Sequence, residues 1–119
     1  MIIEYVGIVA SPGSHHEEVR RGLASLVEPT QVTSGCISCQ LYQNLSDPNE
    51  LRFESQWQTT DDFILYACSD LYRTLLELLE MSVRTPTVKF YEISTTHGLE
   101  LIRMVRERHG VCGSARQSY

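Results

Sequence analysis

Residues 2 to 10, "IIEYVGIVA", carry apolar side chains at both parities of a strand. Ile2, Val6 and Ile8 share one face, while Ile3, Tyr5 and Val9 share the other. β-Branched and aromatic residues fit the pleated backbone, and a strand apolar on both sides needs cover on both sides. The segment therefore predicts a central strand, around which the rest of the chain must be arranged.

"SPGSHHEE" follows it. Pro12-Gly13 turns the chain, and Ser14 with Glu17 three residues later makes a capping box for a helix. Val19, Leu23, Leu26 and Val27 lie on one face of that helix, which Pro29 is expected to end. A second strand runs from about Cys36 to Asn44. "NLSDPNE" then turns the chain, with Asp47-Pro48-Asn49 at the tip, and "ELRFESQW" returns as a third strand. "QTTDDF" opens the next helical segment, where Thr59 or Thr60 caps and Asp61 and Asp62 suit the positive end. It runs to about Ser82, with a break near Ser69-Asp70 and a buried stripe of Leu71, Leu75, Leu78 and Leu79. After Pro86, "TVKFYEIS" reads as the fourth strand.

The order β-α-β-β-α-β predicts an α+β, ferredoxin-like domain over residues 1–95, with two helices on one face of a four-stranded antiparallel sheet. The other face is left bare. Because the first strand is apolar on both sides, a homodimer packed sheet to sheet is the expectation. Residues 96–119 form a C-terminal helix and tail, in which Leu99, Ile102 and Val105 make a short apolar stripe expected to cap its own subunit. The last stretch, "VCGSARQSY", is expected to fray.

At 119 residues the chain suits one domain. Its net charge of −5 disfavours a nucleic-acid binder, and Arg103, Arg106 and Arg108 are interleaved with Glu100 and Glu107. No apolar run approaches the length that crosses a bilayer. "MIIEYVGIVASPG" lacks a basic residue ahead of its apolar stretch, which Glu4 interrupts, so no secretory signal is expected and the cytoplasm is the expected location.

Cys36 and Cys39 stand three apart among only four cysteines. A zinc site needs a second close pair, which Cys68 and Cys112 do not supply. A redox pair sits at a helix N-terminus, whereas this one lies within a strand. Residues three apart on a regular strand point to opposite faces, so buried side chains rather than a metal or redox site are expected. His15 and His16 are adjacent, diverge by about 100° on a helix, and read as an exposed first turn.

"GCISCQLYQNLSDPNELRFESQW", followed by a helix opening "TTDDF", resembles the antibiotic biosynthesis monooxygenase family. The marks that carry the likeness are Pro12-Gly13, Gly35-Cys36, Asp47-Pro48-Asn49 and Trp57 closing the third strand, in that order. The resemblance spans roughly Ile2 to Ser94 and implies a dimeric α+β barrel. It also implies oxidation of a quinol or polyketide-like phenol by molecular oxygen, with no metal, flavin or haem. An electron-rich phenolate can reduce oxygen itself; the protein supplies an apolar pocket, a hydrogen-bonding or basic group, and shelter from water.

On that resemblance Trp57 and Tyr66 are the candidate catalytic residues, Trp57 packing on the substrate ring and Tyr66 hydrogen-bonding the reacting oxygen. Ser55, Phe63 and Tyr72 are the candidate substrate contacts. Many family members have Glu at the position of Ser55, and His at those of Tyr66 and Leu71. A tyrosine with a pKa of ~10 is ionised in only about a thousandth of molecules at neutral pH, so Tyr66 orients better than it deprotonates. Haem-degrading relatives use an Asn on the first strand and a His near Ala67, and this chain has neither. The alternative function is a dimeric module that holds a small aromatic ligand without oxidising it. A third is a dimer whose C-terminal helix recruits a partner.

Overall fold

A computed structural model describes residues 1–11 and 13–110. Pro12 lies outside the described residues, as do the side chain of Ser14 and the tail expected to fray. The elements in order are β1 (Ile2–Val9), α1 (Ser14–Gln31), β2 (Cys36–Gln43), β3 (Glu50–Trp57), α2 (Thr60–Ala67), α3 (Asp70–Leu79), β4 (Thr87–Glu92) and α4 (Leu99–His109). The sheet is antiparallel with strand order β2-β3-β1-β4, the ferredoxin-like arrangement, and β1 is a central strand as its composition predicts. No described helix is long and apolar enough to cross a membrane.

Helices α1, α2 and α3 cover one face of the sheet. Val6 and Ile8 of β1, Leu51 and Phe53 of β3, and Cys39 of β2 meet Val19, Leu23 and Leu26 of α1 and Leu75 and Leu79 of α3 in one core. At a side chain's worth of roughly 1.5–3 kcal/mol for full burial, this layer dominates the stability of the domain.

Three local readings change. α1 takes Gly13, at φ 90°, as its N-cap, and Glu17 pairs with Arg20 and Arg21 instead of reaching back to a cap. Pro29 does not end the helix, which continues to Gln31. In the last turn a proline removes one donor, while Thr30 beyond it is buried and Gln31 donates to the Cys39 carbonyl at 2.9 Å. Finally, α4 forms, but every described residue in it is exposed, so it does not cap its own subunit.

The bare face of the sheet is more mixed than β1 alone implies. Across the strands it reads Ser38–Gln56–Ile3–Tyr91, then Gln40–Glu54–Tyr5–Lys89, then Tyr42–Arg52–Gly7–Thr87. Arg52 lies over both the Tyr5 and Tyr42 rings, at 5.3 and 5.4 Å, and Tyr5 meets Tyr91 edge-on at 5.3 Å.

Candidate functional site

The strand registers build the site floor. One transverse row on the helix side runs Cys39–Ser55–Glu4–Phe90 across all four strands, and beside it runs Cys36–Trp57–Ile2–Glu92. Both cysteines are therefore on the same face. A bulge between Cys36 and Ser38 inserts Ile37 and reverses the parity that a regular strand would have kept, which corrects the expectation of opposite faces. Burial holds both thiols protonated, the Cys39 thiol being pushed up to about 12.

The site roof is the break between α2 and α3. Thr59 caps α2, accepting from the Asp62 amide at 3.1 Å. Ser69 caps α3 by accepting from the Tyr72 amide at 3.3 Å, and its own hydroxyl donates to the Tyr66 carbonyl at 2.6 Å. This one serine thus fixes the end of one helix to the start of the next. Tyr66 and Tyr72 consequently enter from successive helices and meet edge-on at 5.2 Å. Gly35 lets the turn before β2 pass under α2: its φ is +84°, and a Cβ there would stand 2.2 Å from the Asp62 carboxyl carbon.

All five residues singled out from the sequence come together. Trp57 is wholly buried and stacks on Tyr66 with ring centroids 4.4 Å apart. Its indole N–H donates to the Ser55 hydroxyl at 3.0 Å, satisfying a polar atom far from water. Phe63 touches Trp57, Tyr66 and Tyr72 edge-on, and on its outer side meets Phe90 at 5.3 Å. Phe90 is 53% exposed, so the Phe63–Phe90 contact is where the cluster meets solvent. Leu71 packs beside the same rings.

The sequence reading missed Glu4. It is fully buried, it shares parity with Ile2, Val6 and Ile8, and it accepts a 2.6 Å hydrogen bond from the Tyr72 hydroxyl through Oε2. Burial pushes its carboxyl up to about 7, a rise that the Tyr72 hydrogen bond moderates. The signal was present in the sequence, as the single charged residue on the otherwise apolar face of the first strand. Burial also pushes both tyrosines above their usual range, with Glu4 adding to the shift in each. Tyr66 is therefore a donor here and not a base. The Thr30 hydroxyl is buried beside Tyr66 and Cys39 and moderates the upward shift of both. Among the described residues no group of three or more metal-ligating side chains assembles.

Over residues 1–78 the sequence matches the antibiotic biosynthesis monooxygenase family. The chain belongs to that family. No curated protein matches it. Among solved structures, a candidate antibiotic biosynthesis monooxygenase from Deinococcus radiodurans is similar with a TM-score of 0.73 at 18% identity, covering 82% of this chain and 97% of that one. Rv0793 from Mycobacterium tuberculosis gives 0.71 at 17% identity, covering 82% and 98%. PA3566 from Pseudomonas aeruginosa gives 0.68 at 20%, covering 79% and 94%. At such identities these likenesses carry the fold, and the family's arrangement of strands and helices is the one found here.

Proposed function

We propose that this family member oxidises a small phenol or quinol, of the polyketide-like kind, with molecular oxygen and without a cofactor. The observation that carries the reading is the convergence of Trp57, Phe63, Tyr66 and Tyr72 beneath the α2–α3 break, with Ser55 anchoring the indole. In this reading the substrate enters by displacing Phe63 from Phe90 and lies against the Trp57 ring. The Tyr66 hydroxyl donates a hydrogen bond to the reacting oxygen, and Tyr72 and Ser55 are secondary contacts. The closed cluster keeps water away from the phenolate while it passes electrons to oxygen.

The reading includes a cytoplasmic homodimer formed through the bare sheet face. There Ile3, Tyr5, Arg52 and Tyr91 border a shallow hollow of about 590 Å³. A second reading, a dimer that binds a small aromatic without oxidising it, is favoured by Ser55, Tyr66 and Leu71 standing where many family members carry an acid and two histidines. Oxygen uptake by metal-stripped protein over a panel of hydroquinones and anthrone-like phenols separates the two. Uptake above the uncatalysed rate, reduced in Tyr66→Phe, is the expected outcome. Binding without uptake from any panel member favours the ligand-holding module.

A further inference from the structure

Glu4 is an expensive residue to keep where it is. A carboxyl placed in an apolar layer loses its hydration, and evenly shared hydrogen bonds would be the usual compensation. Only one of its oxygens is compensated. Oε2 takes the Tyr72 hydrogen bond, while Oε1 is equally buried and has no partner.

The strand pairings show what surrounds Glu4. The neighbour on one side of its row is Ser55 on β3, and beyond that Cys39 on β2. On the other side is Phe90 on the edge strand β4, half exposed and in contact with Phe63. Glu4 is therefore one strand in from solvent, behind the two rings through which a phenol would enter. The titratable groups that bear on it are Tyr72 from α3, Tyr66 from α2 and Cys39 from β2, all neutral near pH 7. β3 and β4 place Ser55 and Phe90 against it, which carry no charge, and no cation contributes to its acidity among the described residues.

We propose that Glu4 is the base that accepts the proton of a bound phenol, with Oε1 as the accepting atom and Tyr72 as the positioning residue that holds Oε2. This rests on the phenol-oxidising reading above and supplies the base that Tyr66 cannot provide. In the step, the phenol O–H bond breaks, its electron pair stays on oxygen as the phenolate, and the proton bonds to Oε1. The carboxyl ends neutral, the state that burial favours, so the transfer relieves a buried charge on the protein as it creates one on the substrate. A carboxyl held up to about 7 is also balanced between taking a proton and releasing it near neutral pH.

The test uses para-nitrophenol, a phenol of near-neutral acidity whose phenolate absorbs visible light and whose neutral form does not. Binding is followed by quenching of Trp57, the single tryptophan of the chain. Ionisation of the bound probe is followed by its visible absorbance as pH is varied. Wild type, the near-isosteric Glu4→Gln and Tyr72→Phe are compared, each checked for the native far-UV spectrum. With Glu4 as acceptor, carboxyl and probe share one proton, so in the wild type the phenolate absorbance rises in two steps, the second displaced upward by the ionised carboxylate, whereas Glu4→Gln gives a single step while quenching persists. In Tyr72→Phe the first step grows, because loss of the hydrogen bond that lowers the Glu4 pKa moves the shared proton further onto Glu4. A purely structural role for Tyr72 would leave the size of that step in place. Quenching in every variant with the same single-step titration in wild type and Glu4→Gln overturns the role of Glu4 and leaves the phenol site standing. Absence of quenching in the wild type overturns the phenol site and the role of Glu4 with it.

Discussion

The two faces of one sheet are built from the same four strands and solve opposite problems. On the helix side Glu4, Ser55, Trp57 and Tyr66 are all sealed from water, and each polar atom there is either paired or costly. On the bare side Gln40, Arg52, Glu54 and Lys89 carry the polarity, and the Arg52 guanidinium lies over two tyrosine rings. Polar groups are affordable on the bare face because water supplies their partners. Those on the helix face persist against a real free-energy cost, so they are the ones that call for a function.

Trp57→Ala should produce the largest effect. It removes the stack on Tyr66 and leaves Ser55 without its donor, at an expected cost of about 3–5 kcal/mol in urea denaturation. A loss below about 1 kcal/mol would mean that the helix side is not the packed layer described and would erase the contrast between the faces.

A pH series sharpens the contrast next. Burial pushes the folded Glu4 carboxyl up to about 7, against an ordinary 4.5 in the unfolded chain. Between those values the native state holds a proton that the unfolded chain has released. Stability is therefore full at the acid end, falls as pH rises through this window, and levels off above it. The expected loss is about 3 kcal/mol, and Glu4→Gln should abolish this part of the slope. Equal slopes in the two proteins would show that Glu4 is solvated like the carboxylates of the other face.

The smallest effect belongs to the bare face. Arg52→Ala removes contacts with Tyr5 and Tyr42, worth about 0.5–1 kcal/mol on an exposed surface. In the proposed dimer the same change also shifts sedimentation toward the monomer at micromolar concentration. A wild-type protein that sediments as a monomer would remove the second copy from this face.

The order of elements was legible in the sequence because it depends on local periodicity. Two apolar parities marked β1, the 3.6-residue stripes marked the helices, and Ser69 marked the break between α2 and α3. The five aromatic and polar site candidates were legible through the family resemblance, and the fold brings them together. Three features depended on more than local pattern. Pro29 stays helical because the tertiary contacts of Thr30 and Gln31 outweigh one missing donor. Cys36 and Cys39 share a face because pairing with β3 accommodates a bulge at Ile37, and a bulge is a property of two strands rather than one. Glu4 was visible as a charge in an apolar strand, but its acidity was not. A carboxyl pKa is set by what excludes water and what donates to it, and Tyr72 reaches it from 68 residues away. The sequence by itself determined the order of strands and helices and the apolar stripes of α1 and α3. Only the tertiary structure decided that one buried carboxyl would stand among four aromatic rings with an oxygen to spare.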